Sequence, residues 1–590
     1  MTPGSRRGSL ALVLFATFAS FVFWAPAFRH PQASGWGDWQ WFHHMWEAGR
    51  VAIQRWGEAP LFDPHHCGGV PLWGNPQAQV FAPTYLLLAL PFGTTIGHKL
   101  FVIFHCAVGL AGTYLYARRE LRVTEIAATF AAILFTTSGY FAWHSAGGHA
   151  TFLAFYYGPL LMLCWRRSAR DLRYASAVAG LMVLIVLEGG HYPFPYFVLW
   201  LTFDLALRLV VRGTGRGRAL LGAVVAGGLT GLMGCARFVP ILLAITAHPH
   251  PVPDTDALTL DEILHVLTVR DQAAPFPGHQ WMWPEYGAYV GWGAILLAVI
   301  GFSVAIADAA KPRPSRPRIE LAILVLGMVL FVALTQGNAS PHHPWPLLQH
   351  LPFYRSIHVP SRWRLMIVWH LAMFGAIALD ALDRSTRSID LRRPLERAAA
   401  ALPVILLVSM VADVWSVTWP VVDRWDGPVL AQGETEEHFQ LVTNGFGYLQ
   451  EYANYPSRNV GTRECYDPVP WDISHSLWTG DQPFARLAPE SAGTVIDANR
   501  TSLTLWADVD LHEPGRVVFD QNWFEAYVPD RGTLVADDGR AAVDLPAGRQ
   551  RVTLRYRPRD LPYVVGVSLV GVALALWIAR TRRGRARRRA

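Results

Sequence analysis

A succession of long apolar runs, separated by short segments that are alternately arginine-rich and arginine-poor, most constrains what this chain can fold into. About 20 consecutive apolar residues suffice for a helix to cross a bilayer. Twelve spans are read, at approximately 8–28, 98–117, 124–143, 150–165, 174–190, 193–211, 218–245, 287–308, 319–336, 363–382, 398–418 and 561–580. At 52% hydrophobic and 16% charged over 590 residues, the chain is too apolar for an ordinary soluble protein of this length. The first run follows Arg6 and Arg7, lacks a small-residue cleavage site, and suits an uncleaved span better than a signal peptide.

The net charge of +7 does not point to nucleic acid, because the basic residues cluster between alternate apolar runs. One set comprises Arg118, Arg119 and Arg122, then Arg166, Arg167, Arg170 and Arg173, then Arg212, Arg216 and Arg218, then Lys311, Arg313, Arg316 and Arg318, then Arg384, Arg387, Arg392 and Arg393. The intervening turns 144–149 and 189–193 hold no Lys or Arg. The positive-inside rule puts the arginine set and both termini in the cytoplasm, which suits a bacterial cytoplasmic membrane. The outer side then carries 29–97, 246–286, 337–362 and 419–560. In the last of these, TSLTLWADVDL, GRVVFD, AAVDLPAG and QRVTLRYRP alternate with period two between Gly, Pro and Asp, predicting a small antiparallel β-sandwich. The expected fold is mainly α: a polytopic membrane bundle over 1–418, an extracytoplasmic β-rich domain over 419–560, and a final span with a basic tail over 561–590. Cys67 and Cys465 both fall on the outer side and are free to pair, although spacing alone does not show proximity. Cys106, Cys164 and Cys235 read as small core residues.

Chemistry-bearing residues concentrate in the outer loops. Asp38, just past the first span, is the candidate general base for a sugar or lipid hydroxyl; the structural alternative is a helix N-cap. The stretch DWQWFHHMWEAGRVAIQRW reads as a helix lying in the membrane interface. Trp36, Trp39, Trp41, Trp46, Trp56 and Trp73 then suit an interfacial belt, or faces on which sugars stack. Asn75, Gln77 and Gln79 fit amide recognition of sugar hydroxyls as well as turn chemistry. Arg237 lies within the seventh span, where charge usually meets a cavity or a partner. Arg355, Arg362 and Arg364, in LPFYRSIHVPSRWRL, suit the oxygens of a lipid phosphate, or headgroup snorkelling. Glu188 and His191 in LEGGHYPFP, with His144 and His149 in WHSAGGHATF, have side chains that bind hydroxyls or a divalent metal, although no ligand spacing is diagnostic.

Three stretches resemble the YfhO-like family of bacterial membrane proteins: LFDPHHCGGVPLWGNPQAQVFAPTYLLLALP, LPFYRSIHVPSRWRL and DLPAGRQRVTLRYRPRDLPYVVGVSL, which occur in that family's order. The resemblance implies a GT-C-type glycosyltransferase that uses a polyprenyl-phosphate sugar outside the cytoplasmic membrane. It further implies that Asp38 is the acid of the first outer loop, and that the loop arginines are candidates for the lipid phosphate. Two departures stand out. Phe62-Asp63-Pro64 replaces the usual Trp-Asn-Pro, and NWFEAYVPDRG replaces a Gly-Trp-containing strand and turn. The expected activity is inverting transfer to an envelope polymer, lipid or protein acceptor; no nucleotide-binding glycine pattern is present. The alternatives are a transporter or flippase for a lipid-linked polymer, and a non-catalytic scaffold for envelope assembly.

Overall fold

The computed structural model describes residues 3–211, 215–247, 256–273, 275–276, 278–279, 282–351, 354–387, 394–427, 429, 439–443, 452–466 and 471–581. The helices run in chain order: α1 (Pro3–Trp24), α2 (Trp39–Gln54), α3 (Pro83–Arg119), α4 (Glu125–Thr136), α5 (Gly139–Ala146), α6 (Gly158–Ser168), α7 (Arg173–Leu187), α8 (Pro193–Val210), α9 (Arg216–Ala247), α10 (Leu260–Thr268), α11 (Trp283–Tyr286), α12 (Trp292–Ala310), α13 (Arg318–Thr335), α14 (Pro344–Leu348), α15 (Arg364–Thr386), α16 (Pro394–Val422) and α17 (Leu561–Thr581). Among the described residues, ten helices are long and apolar enough to cross a membrane, and the chain is a multi-pass membrane protein.

Two of the twelve expected spans do not have that form. Where 150–165 was expected to cross, Ala150–Tyr157 is a 3-10 helix that gives way to the 11-residue α6 at Gly158-Pro159. The expected fifth span is the 15-residue α7. Hydropathy reports apolar content but not pitch, and the aromatic run TFLAFYY is buried inside the protein rather than presented to lipid. The second span also starts earlier than read. The chain is already helical from Pro83, and Gly93, at φ 74°, breaks the helix just after Pro91.

The arginine clusters gather at one end of the bundle, where they meet buried carboxylates. Asp380 accepts from the backbone N–H of Thr124 at 2.7 Å and pairs with Arg316 and Arg384. Asp204 and Glu320 share Arg166 and Arg208. These pairs tie the ends of α4, α6, α8, α13 and α15 into a polar layer.

The strands lie mostly between α16 and α17: β1 (Phe62–Asp63) and β2 (Val70–Pro71) in the first loop, then β3 (Gln440–Val442), β4 (Val460–Thr462), β5 (Ala485–Ala488), β6 (Gly493–Arg500), β7 (Thr504–Leu511), β8 (Gly515–Asn522), β9 (Tyr527–Pro529), β10 (Thr533–Asp537), β11 (Arg540–Leu545) and β12 (Gly548–Tyr556). Two four-stranded antiparallel sheets, ordered β10-β11-β8-β5 and β6-β7-β12-β9, share one apolar core. Alternation explains that core: Leu505, Ala507, Val509 and Leu511 point inward from β7, to meet Val517 and Phe519 of β8 and Val543 of β11.

The first loop is stitched to this β-rich region. Cys67 and Cys465 form a disulfide across 398 residues of sequence. The Asn522 amide donates to the carbonyls of Cys67 (2.7 Å) and Gly69 (3.0 Å). Asn522 opens the departing NWFEAYVPDRG stretch, which thus has a structural task of holding the first loop. The other departing residue, Asp63, is buried, and accepts from His44 Nε2 and the His65 N–H at 2.9 Å each. The His44 charge and hydrogen bond outweigh burial and hold the Asp63 carboxyl down at about 2.

Candidate functional site

α2 was expected to lie in the membrane interface; instead it is packed inside the protein. Trp39, Trp41 and Trp46 are buried, and their indole N–H groups donate to Ser145 O (2.6 Å), Gln77 Oε1 (3.0 Å) and Gln79 Oε1 (2.8 Å). Buried indoles require acceptors, and the loop amides supply them. Gln79 also donates to Glu188 O at 2.9 Å, and the Asn75 side chain accepts from the Gln77 N–H at 2.9 Å. The three amides are therefore engaged in internal locks rather than open to a sugar. Trp36, at 44% exposure, is the tryptophan of this loop that presents a free face.

Asp38 occupies the N-cap position of α2, but its side chain makes no capping bond. It is held from both sides. Its backbone N–H donates to Gly147 O at 3.0 Å, and its Oδ1 accepts from the Tyr466 hydroxyl at 2.5 Å. The other oxygen, Oδ2, lies 3.6 Å from His149 Nε2. The carboxylate is still 38% exposed, so it is within reach of an incoming hydroxyl. Close approach of the 147–149 turn depends on Gly148: at φ 86°, an added Cβ would lie 2.2 Å from the Trp39 nitrogen.

From His149 the site runs inward. His149 Nδ1 meets His144 Nδ1 at 2.6 Å, and His144 Nε2 faces an Arg364 nitrogen at 3.2 Å. Burial holds the His149 imidazole below its usual range, against the upward pull of Asp38 and Glu285; Arg362 and Arg364 add to the lowering. Arg362 makes a two-pronged pair with Glu285, at 2.5 and 2.8 Å. Its guanidinium lies over the rings of Tyr192 (4.4 Å) and Phe152 (5.0 Å). Arg364 is buried over Tyr140 and donates to Ser361 O. The structure thus brings Asp38, His149, Arg362 and Arg364 together, with Arg362 nearer the surface and Arg364 beneath it. His191 borders the same cluster: burial lowers it to about 4, and the Arg362 charge acts in the same direction.

Other expected residues lie elsewhere. Arg237 was a candidate for a lipid phosphate, but its guanidinium is buried and donates to the carbonyls of Leu72, Trp73, Asn75 and Ala78 at 2.5–3.3 Å. It fastens the first loop through both terminal nitrogens, and the remaining donor, Nε, is buried. Glu188 was read as a surface ligand; it is buried and accepts from Thr84, Tyr157 and His105 at 2.7–2.9 Å. Arg355 is exposed on a one-turn 3-10 helix, Tyr354–Ser356. Among the described residues, no group of three or more His, Cys, Asp or Glu side chains is arranged to hold a metal ion.

Three members of the site were not singled out from the sequence. Glu285 lies in an aromatic stretch with no motif around it. Tyr466 follows Cys465, and the disulfide together with stacking on Trp41 and Tyr452 brings it to Asp38. Arg424 stacks over Trp143, 4.7 Å away, beside His144.

No protein-family model and no curated protein matches the chain, so the YfhO-like resemblance stands on its three sequence stretches alone. Among solved structures, the chain is similar to the archaeal oligosaccharyltransferase AglB from Archaeoglobus fulgidus, solved with an inhibitory peptide and a dolichol-phosphate (12% identity, TM-score 0.44, 79% of this chain and 65% of that one). It is similar to the arabinofuranosyltransferase AftD from Mycobacteria (13% identity, TM-score 0.47, 94% of this chain and 42% of that one). It is also similar to ArnT from Cupriavidus metallidurans, bound to undecaprenyl phosphate (14% identity, TM-score 0.35, 72% and 75%). The chain spans 65% of the length of AglB and 42% of that of AftD.

Proposed function

We propose that this chain is a membrane glycosyltransferase that moves a sugar from a polyprenyl-phosphate carrier to an acceptor hydroxyl, with inversion, on the outer face of a bacterial cytoplasmic membrane. The observation that carries the proposal is the meeting of a reachable carboxylate with His149 and the Arg362–Glu285 pair, where the first loop meets the membrane helices. Asp38 takes the proton from the acceptor hydroxyl. The hydroxyl oxygen forms the new bond to the anomeric carbon, and the carbon–oxygen bond to phosphate breaks. Polyprenyl phosphate leaves with the electron pair. Arg362 is the guanidinium assigned to the phosphate, because a planar fork matches phosphate oxygens. Arg364 acts indirectly, by keeping His144 and thereby His149 in place. The acceptor is an envelope polymer, lipid or protein, and the termini are assigned to the cytoplasm.

The test is direct binding of polyprenyl phosphate to the purified protein, paired with a comparison of envelope glycans between a deletion strain and its parent. Saturable binding weakened by Arg362→Ala, together with a missing sugar in the deletion strain, supports the proposal. No binding by the wild-type protein overturns it.

A further inference from the structure

We propose that the end of the bundle remote from Asp38 carries a binding site for the phosphate-bearing headgroup of an anionic phospholipid. The site is a cavity of about 390 Å³ between the C-terminal ends of α6 and α8 and the N-terminal ends of α9 and α13. α8 starts beside His191 and runs 18 residues, so the cavity lies about 27 Å from the catalytic end.

The charge of the cavity is built in two layers. The floor is balanced. Arg166 and Arg208 are paired with Asp204 and Glu320, and the Trp165 indole donates to Asp204 at 3.0 Å. Three more guanidiniums, Arg170, Arg216 and Arg218, line the cavity from exposed positions, and Arg216 also donates to Val210 O at 3.1 Å. Asp204 is the single acidic residue among the lining positions, and it is already engaged by the floor. The rim is therefore cationic, on a rigid and electrically satisfied base. The 32-residue α9 begins at Arg216, so its N-terminal backbone dipole adds to the attraction for an anion.

The surroundings favour a lipid over a soluble phosphate. Val210 precedes the lining residue Val211, and Leu221 and Val224 follow the lining residue Ala219 along α9; each exposes at least half its surface. Apolar surface leading from an arginine rim into the membrane fits acyl chains attached to a phosphate held at the membrane surface. The inference does not rest on the glycosyltransferase proposal, because none of these residues belongs to the Asp38 cluster.

The test is titration of the purified full-length chain in detergent with phosphatidylglycerol, read by native mass spectrometry. Phosphatidylcholine and inorganic phosphate serve as comparison probes. Two triple variants are compared: Arg170→Ala with Arg216→Ala and Arg218→Ala at the rim, and Arg119→Ala with Arg313→Ala and Arg387→Ala elsewhere at the same end. The expected result is preferential retention of phosphatidylglycerol, weakened about tenfold or more in the rim variant and unchanged in the control, in line with the strength of lipid attraction per arginine. Equal losses in both variants, no loss in the rim variant, or displacement of the lipid by millimolar inorganic phosphate would overturn it.

Discussion

Asp38 carries two contacts that do not reach it through its own helix, the Tyr466 hydroxyl and the His149 ring. A hydrogen bond to a charged group contributes about 1.5–3 kcal/mol. Tyr466→Phe should therefore slow sugar transfer roughly ten- to a hundredfold if that bond positions the base for the reaction. The thermal midpoint should barely move, because the carboxylate stays partly hydrated; turnover and unfolding of the same purified sample measure both. Arg237 makes the opposite prediction. Each carbonyl left unpaired in a buried setting costs about 1–3 kcal/mol, so Arg237→Ala should loosen residues 72–78 and lower stability. Limited proteolysis of the first loop and a melting curve read that loss. Lower affinity for polyprenyl phosphate at full stability would instead restore Arg237 to the phosphate site.

The 147–149 turn and the Cys67–Cys465 bridge set the geometry of the site. At Gly148 a methyl group cannot fit against Trp39 without moving the turn, so Gly148→Ala should separate His149 from Asp38. A displacement of about 1 Å near reacting groups can cost about a hundredfold in rate. The expected outcome is a strong loss of turnover in a variant that still folds; unchanged turnover would detach the turn from catalysis. The bridge lies one residue before Tyr466, so Cys465→Ser should lower turnover as Tyr466→Phe does, and the double variant should be no worse than either alone. These elements also show what the sequence made legible. Apolar runs and period-two strands announced the bundle and the paired sheets, because burial in each case leaves a simple repeat. The role of α2 stayed hidden, because an interfacial helix and a buried one share the same tryptophans. Only the partners of those indoles, Gln77, Gln79 and Ser145, tell the two apart. Asp38, His149 and Arg362 stood out as titratable residues in outer turns. Glu285 and Tyr466 did not, because their importance comes from contacts across more than 70 residues of chain.

Across the molecule, the packed first loop buries histidines in neutral form, two of which, His65 and His66, bond to Val460 and Tyr452. His43 is lowered to about 4 and His66 to about 3, while His65 is pushed well below its ordinary range; burial is the main cause in each case. An imidazole whose folded value is below its unfolded value leaves the unfolded chain holding more protons. Its contribution is present above about pH 6.5 and is lost as the pH falls, by up to about 1.4 kcal/mol per unit for each group. Asp63 adds loss in the same direction below about pH 4. The thermal midpoint should therefore fall between pH 7.5 and pH 5, measured by intrinsic fluorescence in detergent; an unchanged or higher midpoint would mean these rings are not buried neutral. The account as a whole depends on Asp38 acting as a base on a sugar carried by a lipid phosphate. The most direct measurement is transfer from a polyprenyl-phosphate sugar by purified wild-type and Asp38→Asn protein, with polyprenyl-phosphate binding measured on the same samples. The variant should bind as the wild type does and turn over about 10²–10⁴-fold more slowly. Transfer by the variant at the wild-type rate would contradict the account.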